Sequence, residues 1–250
     1  MEIELSILIP ASVAGVLILS THIPLGQEVL KRGIIFIDLA IAQIAGLGVI
    51  AANSFGWQAH GWEVQIAAVS AALTGAFLLN LTEKKFPDIQ EAIIGVLFIL
   101  AATAGILLLA NNPHGGEHLK ELLVGQILWV EFSDLLPTTL LYIFVLALWF
   151  GMREKIGPAG FYFLFALSVT ASVQLIGVYL VFSCLIIPSL GTVRLSGTRR
   201  LLTAYAIGIV GFATGLIASS SLDLPSGAMI VWTLAICSLF TYVITNRNTN

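Results

Sequence analysis

Charged side chains are scarce in this sequence. They make up 10% of the 250 residues, where a water-soluble domain carries about a quarter. Hydrophobic residues account for 58% and the mean hydropathy is +0.99. That balance excludes a soluble globule and leaves a polytopic helical membrane protein. Cysteine is nearly absent as well. The two present, Cys184 and Cys237, both fall inside apolar runs. This excludes a disulfide framework or a thiolate metal cage and makes them small buried hydrophobes. No G-x-x-x-x-G-K-[ST] phosphate loop occurs, so the chain does not hydrolyse ATP by that device. The start, MEIELSILIP, lacks a basic region before its apolar run and reads as a retained first span, not a cleaved leader. No Ser/Gly or charged run is long enough for a linker. One membrane domain, residues 1–250, without a short repeat, is expected.

What is present is a series of apolar runs of the length a bilayer requires. They cover Leu5–Pro24, Ile34–Asn53, Val64–Thr82, Ala92–Ala110, Leu135–Met152, Gly160–Leu175, Gly177–Leu190, Leu201–Ser219 and Ala228–Thr245. The sixth and seventh are short and nearly continuous, either one broken helix or a tight pair. The fold class is therefore all-α with eight or nine transmembrane helices. A further piece, Leu122–Val130, is too short to span and reads as a surface or re-entrant helix.

Basic residues set the orientation. With nine spans and the N-terminus outside, Lys31, Arg32, Lys84, Lys85, Arg153, Lys155, Arg194, Arg199, Arg200 and Arg247 fall on one side. Lys120 alone of the eleven bases falls on the other. This split places the C-terminus in the cytoplasm. The outer loops are then Ser54–Glu63, Asn111–Asp134 and Ser220–Gly227.

The stretch Arg32–Gly48, RGIIFIDLAIAQIAGLG, is apolar from Gly33 on apart from Asp38 and Gln43. On a helix, Asp38, Ala42, Ala45, Gly46 and Val49 share a side. Small residues let another helix approach. An acid in an apolar span marks a pathway or a partner. The plainer reading pairs Asp38 with Lys31 or Arg32 near the membrane edge.

A second candidate lies in an outer loop. His114 and His118 are spaced i and i+4, with Glu117 between them, and offer nitrogen and oxygen ligands of the kind zinc takes. The bland reading is a solvated loop. His60, between Trp57 and Trp62, reads as part of an interfacial aromatic belt, and His22, beside Pro24, as structural. Asp223–Gly227, DLPSG, reads as a turn. Gly211 and Gly215 mark a close helix contact.

The inner loop Pro188–Arg200, PSLGTVRLSGTRR, is basic and punctuated by glycine. Alone, it is an ordinary positive-inside loop. Together with SVTASVQLIGVYLVFSCLIIPSLGTVRL (Ser168–Leu195), SSSLDLPSGAMIV (Ser219–Val231), EAIIGVLF (Glu91–Phe98) and LLVGQILWVEFSDLL (Leu122–Leu136), it resembles the permease family of bacterial metal ABC importers, which take up zinc, manganese or iron. The resemblance extends over nearly the whole chain, in the same order.

That resemblance implies a membrane-spanning subunit of the bacterial inner membrane. It would pair as a homodimer on two cytosolic ATP-binding subunits and receive a divalent metal from an extracytoplasmic binding protein. It implies no permanently bound cofactor and no nucleic acid. Pro188, Gly191, Arg194, Arg199 and Arg200 would match the segment that contacts the ATPase. The family often carries an acid and a His four residues apart in its second span. Asp38 matches the acid, but Ala42 stands at the His position. Histidine favours zinc, which is the expected cargo, while carboxylates suit manganese and iron too. An ion-driven secondary transporter would want several intramembrane charges. An intramembrane enzyme would want a convergent catalytic constellation within the spans. The sequence shows neither.

Overall fold

The computed structural model describes residues 5–54, 61–110, 112, 115–152 and 155–247. Every regular element among them is helical, as apolar runs in lipid demand, because a helix satisfies its backbone internally. The ten α-helices are α1 (Leu5–Arg32), α2 (Ile37–Ser54), α3 (Trp62–Lys85), α4 (Gln90–Leu109), α5 (Gly115–Val124), α6 (Phe132–Gly151), α7 (Pro158–Ile176), α8 (Val178–Gly191), α9 (Gly197–Leu222) and α10 (Ser226–Arg247). Eight of them are long and apolar enough to cross a membrane.

α1 corrects the expectation that the first span stops at Pro24. It continues for two more turns, to Arg32. Pro24 has no N–H to give to the carbonyl of Ser20, which would normally weaken the helix there. The Tyr205 hydroxyl on α9 donates to that carbonyl at 2.8 Å, so the helix passes through. Pro188 likewise lies inside α8 and does not end it.

One end of the bundle is basic. Arg32, at the end of α1, bonds Glu28 at 3.0 Å and lies 3.8 Å from Glu83 on α3. Its guanidinium also sits 4.4 Å over the ring of Phe161 at the start of α7. Arg194, in the turn after α8, donates to the Tyr242 hydroxyl near the end of α10 at 3.2 Å. The ends of α1, α3, α6, α8 and α10 and the starts of α7 and α9 therefore meet there. Lys120, on α5, lies at the opposite end.

This arrangement decides between one broken helix and a tight pair. α7 leaves the basic end and α8 returns to it, with Gly177 alone between them. α8 has only 14 residues, about 21 Å at 1.5 Å per residue, against a hydrocarbon core of about 30 Å. The missing depth is filled by the segment after α5. Gly125 and Gly177 both have positive φ, 69° and 77°, and their backbones touch so closely that a Cβ on either would collide with the other. The piece predicted as surface or re-entrant thus turns into the bundle. Ile127 and Val130 are buried there.

α9 and α10 pack through the small residues seen in the sequence. Gly211 lies against Leu234, and Gly215 against Ile230 and Thr233. The Thr233 hydroxyl donates to the Gly211 carbonyl at 2.6 Å. The DLPSG turn forms as expected: Asp223 closes α9 with φ 55° and α10 opens at Ser226. Both cysteines are free.

Candidate functional site

Asp38 occupies the first turn of α2 and is completely buried. Neither of its carboxylate oxygens has a hydrogen-bond partner among the described residues. The pairing with Lys31 or Arg32 is not formed, because Arg32 is held by Glu28 and Glu83. A buried carboxylate without a partner costs several kcal/mol in a low-dielectric interior. What favours it locally is the helix itself, whose N-terminal end attracts negative charge. Tyr142 on α6 and Cys184 on α8 lie within reach of its charge.

One and two helical turns from Asp38, on the same side, are Ala42 and Gly46. Both line a cavity of about 720 Å³ bounded by α2, α4, α5, α7, α8 and α10. Its wall is apolar apart from Gln43, Tyr179 and Ser183. The small-residue side of α2 read from the sequence therefore lines a space. The close helix contact is elsewhere on α2, where Gly48 meets Ala67 and Ala71 of α3. The cavity extends to Gly227 at the start of α10 and to Leu119 on α5, at the end opposite the basic one. Leu39, next to Asp38, lines its other end, so Asp38 lies beside that end without lining the cavity.

Two features went unread in the sequence. Glu91, in the first turn of α4, accepts the Phe36 N–H just before α2 at 3.2 Å. It ties the start of α2 to α4 and so fixes where Asp38 sits. The signal was present as an acid opening an apolar run. The second is a buried polar chain across three helices. The Tyr142 hydroxyl meets Ser172 Oγ, Ser172 Oγ lies 3.1 Å from His22 Nε2, and His22 Nδ1 lies 3.0 Å from the Ile18 carbonyl. The chain is satisfied when Tyr142 donates to Ser172, Ser172 to His22, and His22 Nδ1–H to Ile18. His22 is structural, as expected, but it sits ten residues inside α1 and not at a helix end.

The other candidates are dispersed. His60 and His114 lie outside the described residues. Glu117 and His118 fall on α5, which is helical from Gly115, and not in a loose glycine loop. Glu117 is exposed; the side chain of His118 is not described. No group of three or more His, Cys, Asp or Glu side chains able to hold a metal occurs among the described residues. Pro188 and Gly191 are buried, with Gly191 packed on Ser238 of α10. They shape the basic loop without surfacing in it. Arg194 and Arg199 are exposed, and Arg200 is half-buried.

The fold and the sequence each have relatives. PsaBC from Streptococcus pneumoniae, solved in complex with Fab, superposes with a TM-score of 0.73 at 20% identity, covering 95% of this chain and 90% of that one. A "Probable metal transport system membrane protein" of Chlamydia muridarum is 24% identical over 247 residues, 88% of this chain and 80% of the relative. The manganese transport system membrane protein MntC of Halalkalibacterium halodurans is 25% identical over 228 residues, 83% of this chain and 76% of the relative. A "Probable iron transport system membrane protein" of Haemophilus influenzae is 24% identical over 163 residues, 57% of this chain and 60% of the relative. The description of the ABC 3 transport family matches residues 4–159 and 150–245. With two matched segments that together run through almost every helix of the bundle, the chain belongs to the ABC 3 transport family.

Proposed function

We propose that this chain is the membrane-spanning subunit of an ATP-driven importer of divalent metal ions. The observation that carries the proposal is Asp38: a buried carboxylate, unpartnered on both oxygens among the described residues, beside the inner end of a cavity that extends to the far side of the bundle. A divalent ion leaving water needs its lost hydration offset, and an intramembrane carboxylate supplies that charge. Weak, few-ligand coordination suits passage, since a closed cage would hold the ion. With Ala42 where an imidazole would stand, the donors are oxygens. This shifts the expected cargo from zinc, which histidine favours, toward manganese or iron. The names of two relatives are consistent with that shift.

Asp38 is reachable from neither end in this conformation, so transport requires the helices around it to move. In the proposed assembly the N-terminus is outside and the C-terminus cytoplasmic. Two copies sit on two cytosolic ATP-binding subunits in the bacterial inner membrane, and an extracytoplasmic protein delivers the metal. The test is ATP-dependent uptake of labelled manganese, iron and zinc into vesicles holding the permease with its ATPase and binding protein. ATP-independent uptake driven by an ion gradient would overturn the reading.

The ATPase contact is assigned to the exposed part of the basic loop, Arg194 and Arg199, with Arg200 at its edge and Pro188 and Gly191 holding it from below. Replacing Arg194 and Arg199 by Glu reverses two charges, a net change of four units. Copurified ATPase and permease-stimulated ATP hydrolysis are expected to fall about tenfold or more, with membrane insertion intact. Normal copurification and stimulation would remove the loop from the interface.

His114, Glu117 and His118 are proposed to collect metal at the outer face. Changing both histidines to Ala is then expected to raise the metal concentration for half-maximal uptake severalfold and to leave the maximal rate intact. An unchanged concentration dependence would assign them to solvent.

A further inference from the structure

A second cavity, of about 530 Å³, opens at the basic end between the last turns of α1 and α6 and the first turn of α9. Its polar lining consists mainly of donors. Gln27 Nε2 and Arg200 Nε are both buried, and neither has a hydrogen-bond partner among the described residues. Lys31 is exposed at the rim and forms no salt bridge among those residues. The hydroxyls of Ser196 and Thr198 complete that wall. The one acid lining it, Glu28, is already held by Arg32 at 3.0 Å. Orphaned buried donors are costly, and here they belong to Gln27 and Arg200, which line the cavity together with Lys31.

The rest of the wall is apolar. Trp149 is buried behind the cavity, and Phe150, 52% exposed, flanks it toward the outer surface of the bundle. A ligand matching this wall carries a negative charge with several acceptor oxygens and an apolar tail. The cavity also lies where the spans end, at headgroup depth, and basic hollows between helix ends at that level bind anionic lipid. At about 530 Å³ the cavity is larger than a bare phosphate requires.

We propose that this cavity binds the headgroup of an anionic phospholipid, its phosphate against the Lys31 and Arg200 cations beside Gln27. The proposal does not depend on the metal site. In the native bilayer such a lipid would tie α1, α6 and α9 together beside the basic loop.

Native mass spectrometry of the full-length detergent-purified permease tests this. The protein is offered an equal mixture of phosphatidylglycerol and phosphatidylcholine with identical acyl chains. The wild type is expected to retain phosphatidylglycerol selectively. Lys31→Gln with Arg200→Gln should weaken that retention about tenfold or more, at roughly 1 kcal/mol per basic residue near a charged headgroup. Arg199→Gln, one residue away but outside the cavity, should leave it unchanged. Gln27→Leu, which keeps the volume and deletes one donor, should lower it severalfold and serves if the double variant fails to elute as a folded species. Equal retention of the two lipids would overturn the proposal. So would equal weakening by Arg199→Gln, which would mean diffuse surface charge. Displacement of the lipid by millimolar inorganic phosphate would assign the cavity to a small free anion. Loss of ATPase binding in the double variant, with lipid retention unchanged, would assign it to the protein partner.

Discussion

Asp38→Asn is expected to abolish most metal uptake while leaving the protein folded. The substitution keeps the shape of the side chain and removes its charge. A divalent ion entering the bundle then meets a neutral amide, and the compensation for its lost hydration is gone. Loss of even an outer partner at a metal site costs about 10- to 100-fold. Uptake of manganese and iron, normalised to permease in the membrane, should fall at least that far. Folding should survive, because neither oxygen of Asp38 makes a hydrogen bond that Asn would break, and removing an unpaired buried charge relieves a cost. The thermal midpoint in detergent should hold or rise. Arg32→Ala supplies the contrast. It breaks contacts to Glu28, Glu83 and Phe161, so it should lower the midpoint without touching the carboxylate. Wild-type uptake by well-inserted Asp38→Asn would remove Asp38 from the ion path.

Gly177→Ala is expected to have the largest effect on folding. Two costs add. The residue has φ 77° and ψ 163°, a region essentially reserved for glycine that costs an L side chain about 1–3 kcal/mol. Its new Cβ would also be driven into the backbone of Val124 and Gly125, and backbone cannot swing away as a side-chain tip can. Overpacking of that kind costs about 1–3 kcal/mol more. A total of about 2–6 kcal/mol should appear as a much lower thermal midpoint and a reduced folded fraction on size exclusion. Gly95→Ala is the control, since a Cβ there meets nothing within 4 Å. If Gly177→Ala matched that control, the contact between the α5 segment and the α7–α8 break would not hold the fold together.

Much of the architecture was legible in the sequence because lipid leaves few choices. Apolar runs of bilayer length must be helices, and a ten-to-one distribution of bases must put nearly all of them at one end. The DLPSG turn and the Gly211–Gly215 contact were equally visible, since turn chemistry and small-residue spacing are local. Asp38 stood out for the same reason: an acid in an apolar run needs no partner to be noticed.

Helix boundaries were less secure where tertiary contacts repaired a local defect. Pro24 signals a stop by itself. It is overruled by the Tyr205 hydroxyl, 181 positions along the chain, which supplies the donor that proline lacks. Whether Gly160–Leu190 held one limb or two could not follow from hydropathy, because both limbs are apolar. It followed from the backbone contact of Gly177 with Gly125, a meeting of residues that hydrophobic pattern does not encode.

The sequence by itself determined that the chain is a helical membrane protein, that its bases gather at one end, and that one carboxylate is stranded among apolar residues. These are properties of composition and order, and the cost of placing charge or bare backbone in lipid enforces them. Only the tertiary structure decided that Asp38 stands clear of Lys31 and Arg32 and that a cavity ends beside it. It also decided that Pro188 and Gly191 are buried beneath the basic loop. Which partner a side chain finds depends on helices far apart in the chain meeting at one depth, and that is settled by packing.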